Sequence, residues 1–181
     1  DMDLKIDWGE GELFDPTHVR GTIASVRTMV DYLNYTYKEG GEYDVTVHGH
    51  VPIITAYLDN VLMDGKYMRK ITAVKSWGKE KFSMLTSAFY GAGLKTVASD
   101  TYHALDQVTD VRSLFMECQN LESVPADLFS EMKATDFNSV FFGCSSLTEI
   151  PAGLFGNNTA ATSFVSTFKG TGIGTVPAGL F

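Results

Sequence analysis

The side chains that most often carry protein chemistry are few in this sequence and widely spaced. Its four histidines are His18, His48, His50 and His103. His48 and His50 flank Gly49 in a stretch that reads as a strand, where residues two apart share a face, so two imidazoles there could begin a metal site. No third ligand lies near them in the sequence, and a solvated rim position is the expectation for both. Glu10, Glu12 and Asp15 offer carboxylate oxygens of the kind that hold calcium. Their spacing matches no EF-hand-like loop, and they read as solubilising charge. No serine sits in a nucleophile-elbow sequence, neither Cys118 nor Cys144 has an evident histidine partner, and no glycine-rich phosphate loop follows a strand. The Gly172-x-Gly174 pair belongs to a turn that recurs along the chain. The expectation is a protein that is not an enzyme, with no catalytic residues, no cofactor and no metal ligands.

Composition bounds what must position any other kind of site. Of the 181 residues, 44% are hydrophobic and 20% charged, which is enough apolar material for a packed core and excludes disorder throughout. The net charge of −8 divides into −5 over residues 1–70 and −3 over residues 71–181, leaving no basic face for nucleic acid. No apolar run approaches the roughly 20 residues of a bilayer span, and the opening Asp1-Met-Asp-Leu-Lys-Ile-Asp-Trp8 is acidic, unlike a secretory leader. A membrane connection is therefore expected only through an anchor absent from this chain.

The second half of the chain repeats itself. Leu94-Lys-Thr-Val97, Leu121-Glu-Ser-Val124, Leu147-Thr-Glu-Ile150 and Ile173-Gly-Thr-Val176 begin 27, 26 and 26 residues apart, the period of a leucine-rich-type solenoid. Three of the four are followed by a Pro-Ala-x-Leu-Phe block, ending at Phe129, Phe155 and Phe181, and Phe89, Phe115, Phe141 and Phe168 precede successive anchors. The β-branched Val97, Val124, Ile150 and Val176 suit short strands that proline closes. Thr109-Asp-Val111, Thr135-Asp-Phe137 and Thr162-Ser-Phe164 read as helix caps, and Val111/Phe115, Phe137/Phe141 and Phe164/Phe168 as i, i+4 pairs facing inward. One such unit cannot bury its apolar side alone, so stacking is expected to align Leu94, Leu121, Leu147 and Ile173 in one buried column. Cys118 and Cys144 fall at equivalent positions, where parallel side-chain vectors make poor disulfide geometry, and they read as reduced, buried apolar residues.

Phe115-x-x-Cys-x-x-Leu121, Phe141-x-Gly-Cys-Ser-Ser-Leu147 and Leu147-Thr-Glu-Ile-Pro-Ala-Gly-Leu-Phe155 resemble the BspA-type leucine-rich repeat of surface proteins of Bacteroidetes. The likeness covers about residues 68–181. In that family a small PKD-like β-sandwich commonly precedes the stack, and its signature is matched by Ile6-Asp-Trp8-Gly-Glu-Gly11 and by Tyr35-Thr-Tyr-Lys-Glu-Gly-Gly-Glu-Tyr-Asp-Val-Thr-Val47. Glu10 stands where the family has aspartate, and Tyr35 where it has histidine. The resemblance implies a PKD/Ig-like, mostly β sandwich over residues 1–65, abridged or truncated at its N-terminus, followed by an α/β leucine-rich-repeat solenoid of 26-residue repeats over residues 66–181. It also implies an extracellular place on a bacterial cell surface. Read from the residues alone, 1–65 is still mostly β, with an alternating Tyr43–Val47, a hairpin-like turn at Lys38–Gly41 and a further strand at Ile53–Tyr57. The spacing of Val26, Met29, Val30, Leu33 and Tyr37 keeps a helix over residues 24–35 open.

Two functions fit. One is a non-catalytic adhesin that binds protein or glycan through the flat side of the repeats. The other is a structural spacer or carbohydrate-recognition module whose sandwich is the binding part. For the first, the residue before each β-branched position should face outward, so Thr96, Ser123, Glu149 and Thr175 are expected to form a polar row across the sheet. The row suits an extended partner better than a small molecule in a deep pocket. Residues 140–181 carry only Glu149 and Lys169 as charges, so the last unit shows no polar cap. It is expected to be completed by further residues or to pack on another molecule, which allows end-to-end self-association at the C-terminal coil.

Overall fold

The computed structural model describes residues 5–7, 9, 13–14, 38–48 and 68–181. His18, His50, Glu10, Glu12, Asp15, the weighed helix over 24–35, the strand expected at 53–57 and the expected domain boundary at residue 65 lie outside them. The chain divides into two compact units, Asp1–Val51 and Pro52–Phe181.

In the first unit, β1 (Lys5–Asp7) is the centre of a three-stranded antiparallel sheet in the order β2 (Leu13–Phe14), β1, β3 (Thr46–His48). Ile6 pairs with Phe14 on one side and with Val47 on the other. The chain leaves β1 through a tight turn in which the Gly9 N–H donates to Asp7 Oδ1 at 2.8 Å. Gly9 has φ +86°, and a Cβ there would lie 2.8 Å from the carbonyl oxygen of Asp44, so position 9 of the Trp8-Gly9 dipeptide admits no side chain. The expected turn at Lys38–Gly41 is exposed, and the Tyr43 hydroxyl donates back to the Glu39 carbonyl at 2.9 Å.

In the second unit the described residues begin with a 3-10 turn at Met68–Lys70, followed by β4 (Ala73–Val74), which pairs in parallel with β5 (Thr96–Val97) in the register Ala73 to Thr96 and Val74 to Val97. Gly93 sits where the backbone crosses that turn: a Cβ on it would meet the Arg69 carbonyl oxygen at 2.1 Å. Beyond β5 the described residues form no further strand, yet successive repeats stay hydrogen-bonded, as in Glu122 N–H to Lys95 O (3.1 Å) and Ser146 N–H to Gln119 O (3.2 Å).

The stretches read as helices are built differently. Among the described residues there is no α-helix. Ser87, Ser113, Ser139 and Ser166 occupy equivalent positions with φ of 54°, 57°, 55° and 56°, and a left-handed residue interrupts the i to i−4 ladder wherever it falls. Alternate N–H groups point to the next repeat: Leu85, Ser87, Phe89 and Gly91 donate to the carbonyls of Asp110, Arg112, Leu114 and Met116 at 2.8–3.0 Å. The N–H groups between them close tight turns, Ala88 on Leu85, Tyr90 on Ser87 and Ala92 on Phe89, at 3.0–3.1 Å. Phe137, Ser139, Phe141 and Gly143 donate in the same way to Ser163, Val165, Thr167 and Lys169. The backbone is thus satisfied half within a repeat and half by its neighbour. The threonines expected as caps reach back instead: the Thr109 and Thr162 hydroxyls donate to Ser83 O (3.3 Å) and Thr135 O (3.2 Å). The acids beside them accept the local N–H groups, Asp110 from Arg112 (3.1 Å) and Asp136 from Asn138 (2.9 Å).

Burial nevertheless follows the helical spacing. Val111, Leu114, Phe115 and Cys118 are all fully buried, at i, i+3, i+4 and i+7. Their partners above and below make columns of rings. Phe89, Phe115, Phe141 and Phe168 stack at 5.9, 5.7 and 5.8 Å with interplanar angles of 9–12°. Phe129, Phe155 and Phe181 form a second column (5.4 and 5.8 Å), and Phe137 with Phe164 a third (5.3 Å). Trp77 lies edge-on against Phe82 and Phe89, and its indole N–H donates to the Ala98 carbonyl at 2.8 Å.

Candidate interaction surface

The row proposed from sequence lies on the solvent side of the anchor segments. Thr96, Ser123, Glu149 and Thr175 are all exposed. In the first three repeats each outward residue sits between buried ones: Leu94 and Val97 around Thr96, Leu121 and Val124 around Ser123, Leu147 and Ile150 around Glu149. The two buried anchors of each of these three repeats leave the residues between them exposed. The residues just before them, Lys95, Glu122 and Thr148, are exposed too, which widens the strip to two positions per repeat. Of the four, only Thr96 belongs to a strand, β5, so Ser123, Glu149 and Thr175 are carried by irregular backbone rather than by the continuous sheet expected. In the fourth repeat the framing relaxes: Ile173 is half-buried instead of filling the column, and Val176 is 63% exposed.

Sequence reasoning missed a second feature, a cavity of about 180 Å³ lined by Asp100, His103, Leu105, Asp127, Leu128, Ser130 and Glu131. Its polar groups are engaged in holding turns and joining repeats. Asp100 accepts the N–H groups of Ala104 and Leu105 (2.8 and 2.7 Å), Asp127 accepts the Ser99 hydroxyl (2.9 Å), and His103 Nδ1 pairs with Glu131. Asp100 and Asp127 occupy the same place in successive Pro/Ala-x-Asp segments, a signal that spacing alone could have supplied. Among the described residues no three His, Cys, Asp or Glu side chains are grouped to hold a metal ion.

Cys118 and Cys144 are buried free thiols. Each S–H donates to a carbonyl of the preceding repeat, Cys118 to Phe89 at 2.9 Å and Cys144 to Phe115 at 3.1 Å. Burial pushes the Cys118 thiol up to about 12 and raises that of Cys144 as well, so both stay protonated and unreactive at neutral pH. Asn158 plays the same part farther along, its amide donating to Phe129 O (2.9 Å) and Met132 O (3.3 Å).

These side chains, apart from the exposed strip, are committed to holding one repeat on the next, and the strip offers hydroxyls, carboxylates and the Lys95 ammonium without an enclosed pocket. No family model, curated protein or solved structure matches the chain.

Proposed function

We propose that this chain is a non-catalytic interaction protein of a bacterial cell surface, an adhesin whose leucine-rich-type solenoid binds protein or glycan through the row Thr96, Ser123, Glu149 and Thr175. The observation that carries the reading is a recurrence in the first three repeats, where a pair of exposed polar side chains stands between two buried anchors each time. The same row position thus recurs on a backbone fixed by its core, which is how repeat proteins build extended binding faces. A strip of short polar side chains matches an extended partner that hydrogen-bonds along it, and gives a small molecule little to enclose it.

The test is a glycan and protein array probed with the whole chain and with the double variant Ser123→Arg, Glu149→Arg. Both positions are exposed, so the core and the melting temperature are left as they were. The reading expects ligands that bind the parent chain and are lost in the variant. Ligands retained by the variant would remove the row as the site and favour the reading in which the N-terminal sandwich binds and the repeats act as a spacer.

A further inference from the structure

The repeats treat their charged side chains in two ways. Between residues 81 and 181 most are engaged. Lys81 pairs with Asp106 at 2.8 Å, Arg112 with Asp110 at 2.6 Å and His103 with Glu131, and the others cap a turn, reach a neighbouring amide or hydroxyl, or lie over a ring. Three are left over. Lys95, Glu122 and Glu149 are exposed, and among the described residues their side chains make no hydrogen bond, ion pair or ring contact. All three stand on the strip between the buried anchors, one in each of three successive repeats, in the order cation, anion, anion. Lys95 and Glu122 even face each other across a repeat boundary, the Glu122 N–H donating to the Lys95 carbonyl at 3.1 Å, yet their opposite charges form no ion pair.

We infer that the strip takes a basic polypeptide segment, with an acidic side chain set against Lys95 and basic side chains against Glu122 and Glu149. The inference rests on the proposed function, since the site is the same row with its neighbours, and it names the partner. Charge complementarity selects that occupant. Meeting both signs along one strip takes acidic and basic groups in a fixed order on one molecule, which polypeptide side chains supply. A neutral glycan leaves all three charges unmatched, and an acidic one is repelled by the two carboxylates. The net charge of −8 draws a basic partner toward the chain, and the strip then decides how it lies. The two ends of the charge order are unlike. One seating of the partner brings three opposite charges together, whereas the reversed seating sets like charges together at both ends.

Fluorescence anisotropy of the full chain with three pools of short, labelled synthetic peptides tests it, each pool on a neutral background. In the first pool an aspartate lies outside a pair of lysines, in the second it lies between them, and in the third a lysine lies outside a pair of aspartates. The first two pools have the same composition and net charge, so general attraction to an acidic chain cancels between them. The first pool should bind about fivefold tighter than the second and at least about tenfold tighter than the third. Glu122→Lys with Glu149→Lys, both at exposed positions, should abolish the preference for the first pool over the second and bind the third tighter than the parent chain does. If that variant unfolds, Lys95→Glu is measured instead and should also remove the preference between the first two pools. Equal binding of those pools by the parent, no binding of the first, or a preference untouched by charge reversal would overturn the inference. The row itself is judged separately by Ser123→Arg, Glu149→Arg: array ligands that it loses and that carry no basic segment keep the row and overturn the basic partner alone, whereas ligands that it retains overturn both.

Discussion

Phe141 is the residue on which the packing account is most exposed to refutation. Its ring is fully buried, lies between Phe115 at 5.7 Å and Phe168 at 5.8 Å, nearly parallel to both, and is tilted against Phe129 at 5.9 Å. Leucine in its place keeps most of the apolar volume and loses both stacked neighbours. Ring pairs contribute roughly 0.5–1.5 kcal/mol each beyond buried area, so two amount to about 1–3 kcal/mol, and the unfilled volume adds about 1 kcal/mol. Phe141→Leu should thus destabilise by about 2–4 kcal/mol in urea denaturation. Phe168→Leu removes one stacked neighbour from a ring that is only partly buried, and should cost about half as much. If the two substitutions cost the same, or if Phe141→Leu costs no more than an exposed change such as Val165→Ala, the rings are not acting as a column and the reasoning fails.

Leu147→Ala, at a fully buried anchor, should cost about 2–5 kcal/mol by the same assay, against a few tenths for Glu149→Ala two residues away. A thiol reagent at mildly alkaline pH should leave Cys118 and Cys144 unmodified in the folded chain and modify both in denaturant. Because burial raises both thiols above their ordinary value of 9.0, their contribution to stability is present below that pH and lost as pH rises beyond it, and Cys118→Ala should flatten that alkaline decline. At Asp110 burial acts upward, but hydrogen bonds from the Arg112 side chain and backbone outweigh it and hold the carboxyl below 3.8, so its contribution is present above that pH and lost as pH falls through the folded value. Asp110→Asn should accordingly remove part of the acid limb of the stability curve.

The inward positions of Leu94, Leu121, Leu147, Phe115, Phe129, Phe137, Phe141 and Phe155 were legible because each recurs at one phase and apolar side chains have one place to go when units are stacked. The outward place of Thr96, Ser123 and Glu149 followed from the same anchors. The backbone between Val111 and Cys118 was not legible, since a 3.6-residue apolar spacing is shared by a helix and by this run of tight turns. The distinguishing mark was a serine at a fixed position of every repeat, Ser87, Ser113, Ser139 and Ser166, which serine's usual preferences do not flag as left-handed. The hydrogen bonds of Cys118, Cys144 and Asn158 to a carbonyl 29 residues earlier were hidden for a different reason: they are made across repeats, and two thiols and an amide make the same bond.

The most direct test of the proposed binding row is hydrogen exchange of the whole chain with and without a ligand captured on the array. The account predicts new protection confined to the exposed strip and its anchors, residues 94–97, 121–124 and 147–150, with the turn runs at 85–92 and 111–118 unchanged because they do not belong to the strip. Protection absent from those anchors and found instead in residues 5–48 would contradict it.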